Sequence, residues 1–333
     1  METKRLTIPG AEELLDLYFP VLDHGFIALK DYMGGDAAID EAARTSYGAG
    51  TRKVSDRRGL LRSLRRKGHT SPSEMVELKF HMAMPIFVAR QLVRHRTASL
   101  NEYSGRYSLI PMMFYMPDEE QIRKQSKRNK QGRDAAVDAA VAAAARERLI
   151  EHREQVVKDY EWMVEEDFAR ELARIDLPLS AYTQWYWKID LHNLLHCLEK
   201  RCPNDAQHET RMYANVMAGM VKHIAPLSFE AWIDYTFAGA RMSRMELDIL
   251  RSLLRVNERN GVMASPSIFS GGGITAEGMV QMGLSQTEVL EFAEKLREKP
   301  VPSFDLDLAM AKDGAFFAKQ WEEAVPKIDR PAS

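Results

Sequence analysis

Cysteine is scarce in this sequence, with only Cys197 and Cys202 among 333 residues. Two cysteines cannot form the disulfide framework of a small secreted protein, and they suit a reducing compartment such as the cytoplasm. Their spacing does not match a zinc knuckle, and the chain has no second pair of cysteines. We therefore predict a cytoplasmic protein without a structural metal site.

Long apolar runs and a strong net charge are also missing. No stretch is apolar enough to cross a bilayer, and the first residues lead into no signal-like apolar segment. The formal net charge of -2 argues against a protein that coats nucleic acid, so anion binding must come from local clusters. We expect no membrane segment and no nucleic-acid partner, in a chain long enough for one large domain or two medium ones.

The polar stretch Arg94–Tyr107 stands out from the rest of the chain. It contains three arginines, a histidine, a glutamate, two serines and an asparagine, and it directly follows an apolar run. Arginine presents a planar, permanently charged fork of donors, which suits phosphates and other planar anions. A solvated charged loop would be richer in Lys and Glu. We therefore interpret this stretch as a ligand-binding connection between regular elements.

Periodicity predicts the elements around this stretch. Apolar and polar residues alternate from Val76 to Met84, which indicates a half-buried strand, and Pro85 opens a short helix that ends near Val93. Asp190 has the position of an N-cap, and capping-box patterns start at Ser71 and Ser285. The further predictions are strands within 1–34, Tyr107–Tyr115 and Thr183–Ile189, helices at Ala37–Arg44, 52–67, Ala135–Arg174, 191–201, Ala206–Ile224, Met242–Leu254 and 285–299, and a flexible Gly/Ser-rich linker at 257–278.

His192 and His196 lie four residues apart, so they share one side of the predicted helix. Two histidines at this spacing can bind zinc, but the Glu of an H-E-x-x-H motif and a third ligand are missing, which favours a role without a metal. Arg174 precedes a proline, and Arg201 ends the same helix as the histidines. Together with the polar stretch, these arginines suit a nucleotide phosphate and an anionic ring, without specifying the reaction.

Two basic segments leave several readings open. The segment 52–67 is either a nucleic-acid surface or, in our preferred interpretation, a solvated helix face near an anionic substrate. The polar, basic segment 117–134 is either an exposed arm or a lid over an anionic cofactor.

The motif R-H-R followed by S-x-N-E-x-S-x-R-Y, which Arg94–Tyr107 matches throughout, resembles the signature of the flavin-dependent thymidylate synthases. The resemblance extends roughly from Ala37 to Ile224. It includes Gly68–Pro72, Pro85–Gln91, Lys124–Gly132, Arg174–Pro178, and Arg201 with Ala206 and Gln207. It implies a homotetramer with shared active sites that binds FAD. The implied reaction converts dUMP to dTMP, with 5,10-methylenetetrahydrofolate as the carbon donor and NADPH as the reductant.

The resemblance also implies roles for individual residues. It assigns to dUMP Gln91, Leu92, Val93, Arg94, Glu102, Tyr103, Ser104, Gly105, Arg106, Arg174 and Arg201. It assigns to FAD Ser71, Arg94, His95, Arg96, Glu102, Asp190, Leu191, His192 and His196, with His69 beside the flavin. Arg201 would be the catalytic residue that promotes ionisation of the uracil N3. No base is evident beside Ser104, so we expect it to bind the phosphate rather than to act as a nucleophile.

The chain departs from the family pattern around Arg201 and at its end. Lys200 stands where leucine is usual, and Cys202–Asp205 replace a run that usually ends in Ser-His. We predict an α+β fold with a twisted, mostly antiparallel sheet flanked by helices, a long helical segment and a helical C-terminal extension. The expected division is a catalytic domain at 1–240 and the extension, with its linker, at 241–333.

Two alternatives compete with this assignment. One is a thymidylate synthase in which the thiolate of Cys202, activated by Arg201, attacks the pyrimidine. The other is a non-catalytic protein that binds RNA or nucleotides through the two basic segments.

Overall fold

The computed structural model describes residues 6–46, 56–127, 132–257, 261–264, 274–297 and 300–327. It contains two compact units, one formed by Met1–Trp232 with Phe304–Ser333 and the other by Ile233–Ser303. The sequence-based division had placed all of 241–333 in one extension, whereas the last segment belongs to the first unit in the structure. None of the described helices is long and apolar enough to cross a membrane.

A five-stranded sheet organises the first unit. The strands of this unit are, in chain order, β1 (Tyr18–Val21), β2 (Gly25–Met33), β3 (Glu77–Pro85), β4 (Ser99–Glu102), β5 (Arg123–Gln125), β6 (Arg133–Ala136) and β7 (Tyr182–Asp190). The sheet order is β1-β2-β3-β7-β4, and every neighbouring pair is antiparallel. Leu78, Phe80 and Met82 of β3 are buried, as the alternation predicted. The predicted α+β class with a mostly antiparallel sheet is confirmed.

The helices agree with the sequence where the pattern is strongest. In chain order they are α1 (Pro9–Glu12), α2 (Asp36–Arg44), α3 (Arg57–Lys67), α4 (Ile86–Leu92), α5 (Ala139–Glu165), α6 (Arg170–Ala173), α7 (Leu191–Arg201), α8 (His208–Ile224), α9 (Pro226–Trp232), α10 (Arg244–Leu253), α11 (Ala276–Gln281), α12 (Gln286–Leu296) and α13 (Gly314–Glu323). Asp190 caps α7, because its side chain accepts a hydrogen bond of 2.9 Å from the Asn193 N–H. The predicted N-cap is therefore confirmed.

The strand predicted at Tyr107–Tyr115 is wrong. Within these residues the structure has only an isolated bridge between Phe114 and Ala181. Met113 and Tyr115 are nevertheless buried with Tyr182, so their apolar character reflects packing and not a continuous ladder. The fourth strand of the sheet, β4, lies inside the polar stretch itself.

Local geometry corrects two further predictions. The helix predicted at Ala135–Arg174 starts later and ends at Glu165, and Asp167 then adopts a left-handed φ of 59° before α6. Ser71–Met75 form a 3-10 helix in which no side chain caps the first turn, so the capping box predicted there is wrong. The basic segment 117–134 includes β5 and the first residues of β6, which pair as a hairpin, while 128–131 lie outside the described residues.

The second unit is held by its own apolar cluster. Ile249, Leu284, Val289 and Phe292 are buried together. Capping boxes start both α10 and α12, at Ser243 with Glu246 and at Ser285 with Glu288, which confirms the box predicted at Ser285. The predicted linker contains part of a hairpin, β8 (Leu254–Asn257) with β9 (Gly261–Ala264), and 258–260 and 265–273 lie outside the described residues.

The C-terminal helix α13 packs on the sheet of the first unit. Phe317 is buried, and its ring stacks on Tyr18 with centroids 6.0 Å apart and tilts against Phe26 at 4.8 Å. The backbones of Lys312 and Tyr18 exchange two hydrogen bonds of 2.8 and 3.1 Å at the start of this segment. Gly314 lies so close to Tyr18 that an added Cβ would be 2.9 Å from its ring. The helix therefore completes the apolar core over the edge of the sheet.

We expect Phe317→Ala to lower the free energy of unfolding of the first unit by about 3–5 kcal/mol, because it leaves a cavity in this core. Phe316 is the matched control, since it is 54% exposed whereas Phe317 is 5% exposed. Urea unfolding followed by tryptophan fluorescence measures both variants. Equal losses in the two variants would contradict the packing role of Phe317.

Candidate active site

The connection between α4 and β4 presents the R-H-R motif. Pro85 is the N-cap of α4, and the helix ends before Val93. Arg94 and Arg96 are exposed, and neither guanidinium forms a hydrogen bond or ion pair with the part of the chain that the structure describes. Their donors are therefore available for an anionic ligand. The Leu92 side chain is fully buried, so it can reach a ligand only through its backbone.

Arg201 is held at the C-terminal end of α7 by the same connection. Its Nε–H donates to His95 Nε2 at 3.2 Å, and one Nη donates to the Gln91 carbonyl oxygen at 3.2 Å. The negative end of the helix dipole also favours a cation at this position. Three of the predicted site residues therefore meet, while the other Nη donors of Arg201 remain available.

His95 is neutral in this environment. Burial, followed by the positive charges of Arg201 and His196, lowers its pKa to about 4. The rings of His95 and His196 face each other edge-on, with centroids 6.2 Å apart. A neutral imidazole can accept the Arg201 hydrogen bond, so the arginine keeps its charge without a carboxylate to neutralise it.

The turn before β3 packs beside α7 and adds further predicted residues. Ser71 starts the 3-10 helix, and His69 lies just before it; both are exposed. The Leu191 N–H donates to the Val76 carbonyl at 2.8 Å, which joins the start of α7 to this turn. Leu191 itself is fully buried, so only its backbone could contact a ligand. His69, Ser71, Asp190 and His192 therefore belong to one region with Arg201, His95 and Gln91. We name it the flavin-side cluster, after the ligand that the sequence resemblance implies.

A second group contains Ser104, Gly105, Arg106 and Arg174. We name it the phosphate-side cluster, after the group that the sequence analysis expects it to bind. Gly105 is buried, and an added Cβ would lie 2.6 Å from Ile110 Cδ1 and 3.1 Å from Arg174 Cδ. Glycine permits this close approach without displacing the Ile110 side chain, and the chain of Ser104 and Arg106 therefore lies next to Arg174. Ser104 Oγ accepts a hydrogen bond of 3.3 Å from the Arg106 N–H and has no base as a partner, which agrees with an anion-binding role.

The phosphate-side arginines differ in their partners. Arg106 Nε donates to Glu171 at 3.0 Å, in an exposed ion pair. The guanidinium of Arg174 has neither a hydrogen bond nor an ion pair among the described residues. Between the two clusters lie Glu102, whose carboxylate accepts from Thr183 Oγ1 at 2.8 Å, and Tyr103, whose N–H donates to the Gln184 carbonyl at 2.8 Å. No hydrogen bond or ion pair of the described residues connects one cluster to the other.

Comparison with known proteins identifies the family. A family model described as "Thymidylate synthase complementing protein" matches residues 28–227. Flavin-dependent thymidylate synthases of Wolbachia pipientis wMel and Dictyostelium discoideum are 48% and 47% identical to the chain. These alignments cover 76% and 72% of this chain, and 89% and 82% of the relatives. The chain belongs to the flavin-dependent thymidylate synthase family.

A solved structure supports the same conclusion. A UMP/dUMP methylase, PolB from Streptomyces cacaoi bound with 5-Br dUMP, superposes with a TM-score of 0.57 at 29% identity. The superposition covers 64% of this chain and 96% of that chain. The resemblance that the sequence showed at Arg94–Tyr107 is therefore confirmed.

The flavin-dependent family uses FAD, with NADPH as the reductant and methylenetetrahydrofolate as a co-substrate. The flavin-side cluster has groups that fit such a cofactor. His192 Nδ1 is buried and has no hydrogen-bond partner among the described residues. Arg94 and Arg96, on either side of His95 in the chain, have guanidinium donors that no described residue uses. A flavin dinucleotide has polar ring atoms that could pair with the His192 nitrogen and phosphate oxygens that could accept from the two arginines.

A buried carboxylate, which the sequence analysis did not predict, helps to hold Gln91 of the flavin-side cluster in place. Glu209 is 1% exposed and accepts from Arg133 at 2.7 and 2.8 Å, from Tyr115 Oη at 3.0 Å and from Gln207 at 3.0 Å. Burial opposes its ionisation, but these donors and the charge of Arg133 hold the pKa of Glu209 below its ordinary value. Gln207 in turn accepts from Gln91. The carboxylate therefore ties the hairpin β5–β6 to the residue whose carbonyl holds Arg201.

The sequence did contain a signal for this carboxylate. Glu209, Tyr213 and Met217 recur every four residues and are all buried in α8. A glutamate in register with a core stripe predicts a buried, paired charge.

Three of the six basic side chains of helix α3 have a carboxylate partner among the described residues. Arg58 and Arg62 both bind Glu230 of α9, and Arg57 lies 3.7 Å from Asp40. Its exposed charge is therefore smaller than the sequence suggests, which weakens the case for a nucleic-acid surface. Residues 52–55 of this basic segment lie outside the described residues.

The pKa of His95 gives a test of this geometry. We expect Arg201→Met to raise the His95 pKa above about 4, because the second largest cause of its depression is removed. The same depression predicts that the His95 contribution to stability is complete above pH 6.5 and is lost as the pH falls through about 4. NMR titration of the imidazole measures the shift, and an unchanged pKa in the variant would contradict the Arg201–His95 contact.

Proposed function

We propose that this protein is a thymidylate synthase that converts dUMP to dTMP. The uracil loses its C5 proton and gains a C5–CH3 bond, and the folate donor leaves as tetrahydrofolate. The residues of the flavin-side cluster would hold FAD, which would supply the hydride that brings the donated methylene carbon to the methyl level, with reducing equivalents from NADPH. The observation that carries the proposal is the charged Arg201 held against neutral His95 and the Gln91 carbonyl, within a chain of this family.

Arg201 is the catalytic residue in this proposal. A fixed cation beside the uracil N3–H lowers the pKa of that group, because it stabilises the anion. The negative charge is delocalised into the ring and increases the nucleophilicity of C5. Neutral His95 is important here, since a carboxylate in its place would neutralise the guanidinium and weaken its effect on the ring.

The other residues bind and orient. Ser104, Arg106 and Arg174 bind the dUMP phosphate, with Gly105 allowing the close approach. Gln91, Arg94, Glu102 and Tyr103 complete the nucleotide site, with the backbones of Leu92 and Val93. FAD is held by Ser71, Arg94, His95, Arg96, Glu102, Asp190, the Leu191 backbone, His192 and His196, with His69 beside the flavin.

The assembly is a homotetramer in the cytoplasm, in which several subunits build each active site. No hydrogen bond or ion pair of the described residues joins the flavin-side cluster to the phosphate-side cluster within one chain, which supports sites shared between subunits. Four apolar side chains close to Arg174 in sequence are exposed, which supports a contact with another subunit at this surface: Phe168, Leu172, Ile175 and Leu179. Both cysteines are free thiols, as a reducing compartment requires.

We expect Arg201→Ala to lower kcat for dTMP formation by about 10²–10³-fold, because the developing charge loses its cation. FAD content, read from the absorption spectrum, should stay close to that of the unmodified protein. Lys200→Ala is the matched control, since Lys200 is exposed on the neighbouring position of α7. Normal turnover of Arg201→Ala would remove Arg201 from its role.

A cysteine nucleophile is disfavoured by burial. Cys202 is 2% exposed, and burial raises the pKa of its thiol far above the ordinary value; burial also raises the pKa of Cys197 to about 12. Neither thiol supplies a thiolate near neutral pH.

We expect the variant Cys197→Ala/Cys202→Ala to keep dTMP formation within about threefold of the unmodified protein, because neither thiol takes part in the chemistry. A melting curve of the same variant provides the folding control. Complete loss of activity in a folded, FAD-bound variant would support the thiolate mechanism instead.

A further inference from the structure

A polar cavity that the proposed chemistry leaves unused lies beside the hairpin β5–β6. Its volume is about 420 Å³, which falls within the range of small-molecule sites. The hairpin supplies one wall, and the segment between α7 and α8 with the first turns of α8 supplies the other. The side chains that matter for its chemistry are Arg123, Arg133, Asp205, Gln207, His208 and Arg211.

Two of the three arginines in this lining have no carboxylate partner. Arg123 Nε donates to the Glu120 carbonyl at 2.8 Å, and Arg211 donates to the Asn204 carbonyl at 3.0 Å. Neither guanidinium forms an ion pair with a described residue, whereas Glu209 neutralises Arg133. Asp205 is the single carboxylate of the lining. Most N–H donors of Arg123 and Arg211 are therefore unused, and an anion would satisfy them.

The cavity is connected to the catalytic arginine by two glutamines. Gln207 lines the cavity and accepts from Gln91, whose carbonyl holds Arg201 at 3.2 Å. A ligand in the cavity would therefore lie beside the reaction site and not at a remote surface. The dUMP phosphate already has its own donors in the phosphate-side cluster. The flavin-side cluster is assigned to FAD and its phosphates, so the remaining phosphate-bearing reactant is the reductant.

We propose that this cavity binds the 2′-phosphate end of NADPH, with Arg123 and Arg211 as its phosphate ligands. The inference rests on the proposed function, because that function supplies the reductant. The surplus of guanidinium donors suits a phosphate dianion, which accepts several hydrogen bonds at once. The volume suits a phosphorylated adenosine and is too small for the whole dinucleotide. The arrangement gives the protein a means to distinguish NADPH from NADH.

The test compares Arg123→Gln/Arg211→Gln with a charge-matched control, Arg244→Gln/Arg251→Gln, in which both exposed arginines pair with Asp248 of the second unit. Flavin reduction is followed with NADPH and with NADH. We expect the KM for NADPH to rise about 10–100-fold in the cavity variant, as the loss of charge-assisted hydrogen bonds predicts. The KM values for NADH, dUMP and the folate should change by less than about twofold, as should every KM of the control.

A binding measurement separates this inference from turnover. Calorimetric titration with adenosine 2′,5′-bisphosphate and with 5′-AMP should show tighter binding of the bisphosphate, and the cavity variant should lose that difference. Melting curves confirm that the variants are folded. If the unmodified protein makes no dTMP but binds the bisphosphate through these arginines, the proposed function fails while the site stands.

Several results would overturn the inference. They are an equal rise of the KM for NADPH and NADH, a rise of the folate KM alone, or an unchanged NADPH KM. A bisphosphate that binds the unmodified protein no more tightly than 5′-AMP would overturn it as well. A folate-only effect would assign the two arginines to the carboxylates of the folate tail.

Discussion

The antiparallel pairing of β3 with β7 is the constraint on which the site depends. Glu77 pairs with Asp190 and Pro85 with Tyr182, so the two strands match along their whole lengths. Pro85 starts α4, and Asp190 caps α7, so each strand ends at a residue that starts a helix. A register shift of one residue would turn the buried side chains of β7 to the solvent and its exposed side chains to the core. The cost of that exchange fixes the register of the two strands. The meeting of Arg201 with His95 and Gln91 follows from this fixed register.

The buried Glu209 extends that constraint to the hairpin. A lone carboxylate would be costly in the core of α8, and three donors from different segments offset the cost. Such a network adds little net stability, but it fixes the positions of its members. Displacing Arg133, Tyr115 or Gln207 would leave the Glu209 charge buried with fewer partners. The hairpin, Tyr115 and Gln91 are therefore held relative to one another, and the cavity beside Gln207 has defined walls.

The sequence predicted the elements that depend on local pattern. The alternation of β3, the Asp190 cap and the helix at 191–201 are decided by neighbours in the chain, and all three are confirmed. The false strand at Tyr107–Tyr115 and the packing of α13 on Tyr18 depend on distant partners, which periodicity does not report. Motif resemblance predicted the candidate residues and their division between two ligands, whereas the contacts of Arg201 with His95 and Gln91 required coordinates.

The pairing of the arginines explains where anions can bind. Arg58, Arg62 and Arg133 have carboxylate partners and are structural, while Arg94, Arg96 and Arg174 have none within the described ranges. Arg106 is the informative exception, because it pairs with Glu171 although the phosphate is its proposed ligand. An exposed ion pair of this kind contributes only about 0–1 kcal/mol, whereas a charge-assisted bond to phosphate contributes about 1.5–3 kcal/mol. The nucleotide can therefore displace Glu171, so the ion pair positions Arg106 before the substrate arrives without blocking its site.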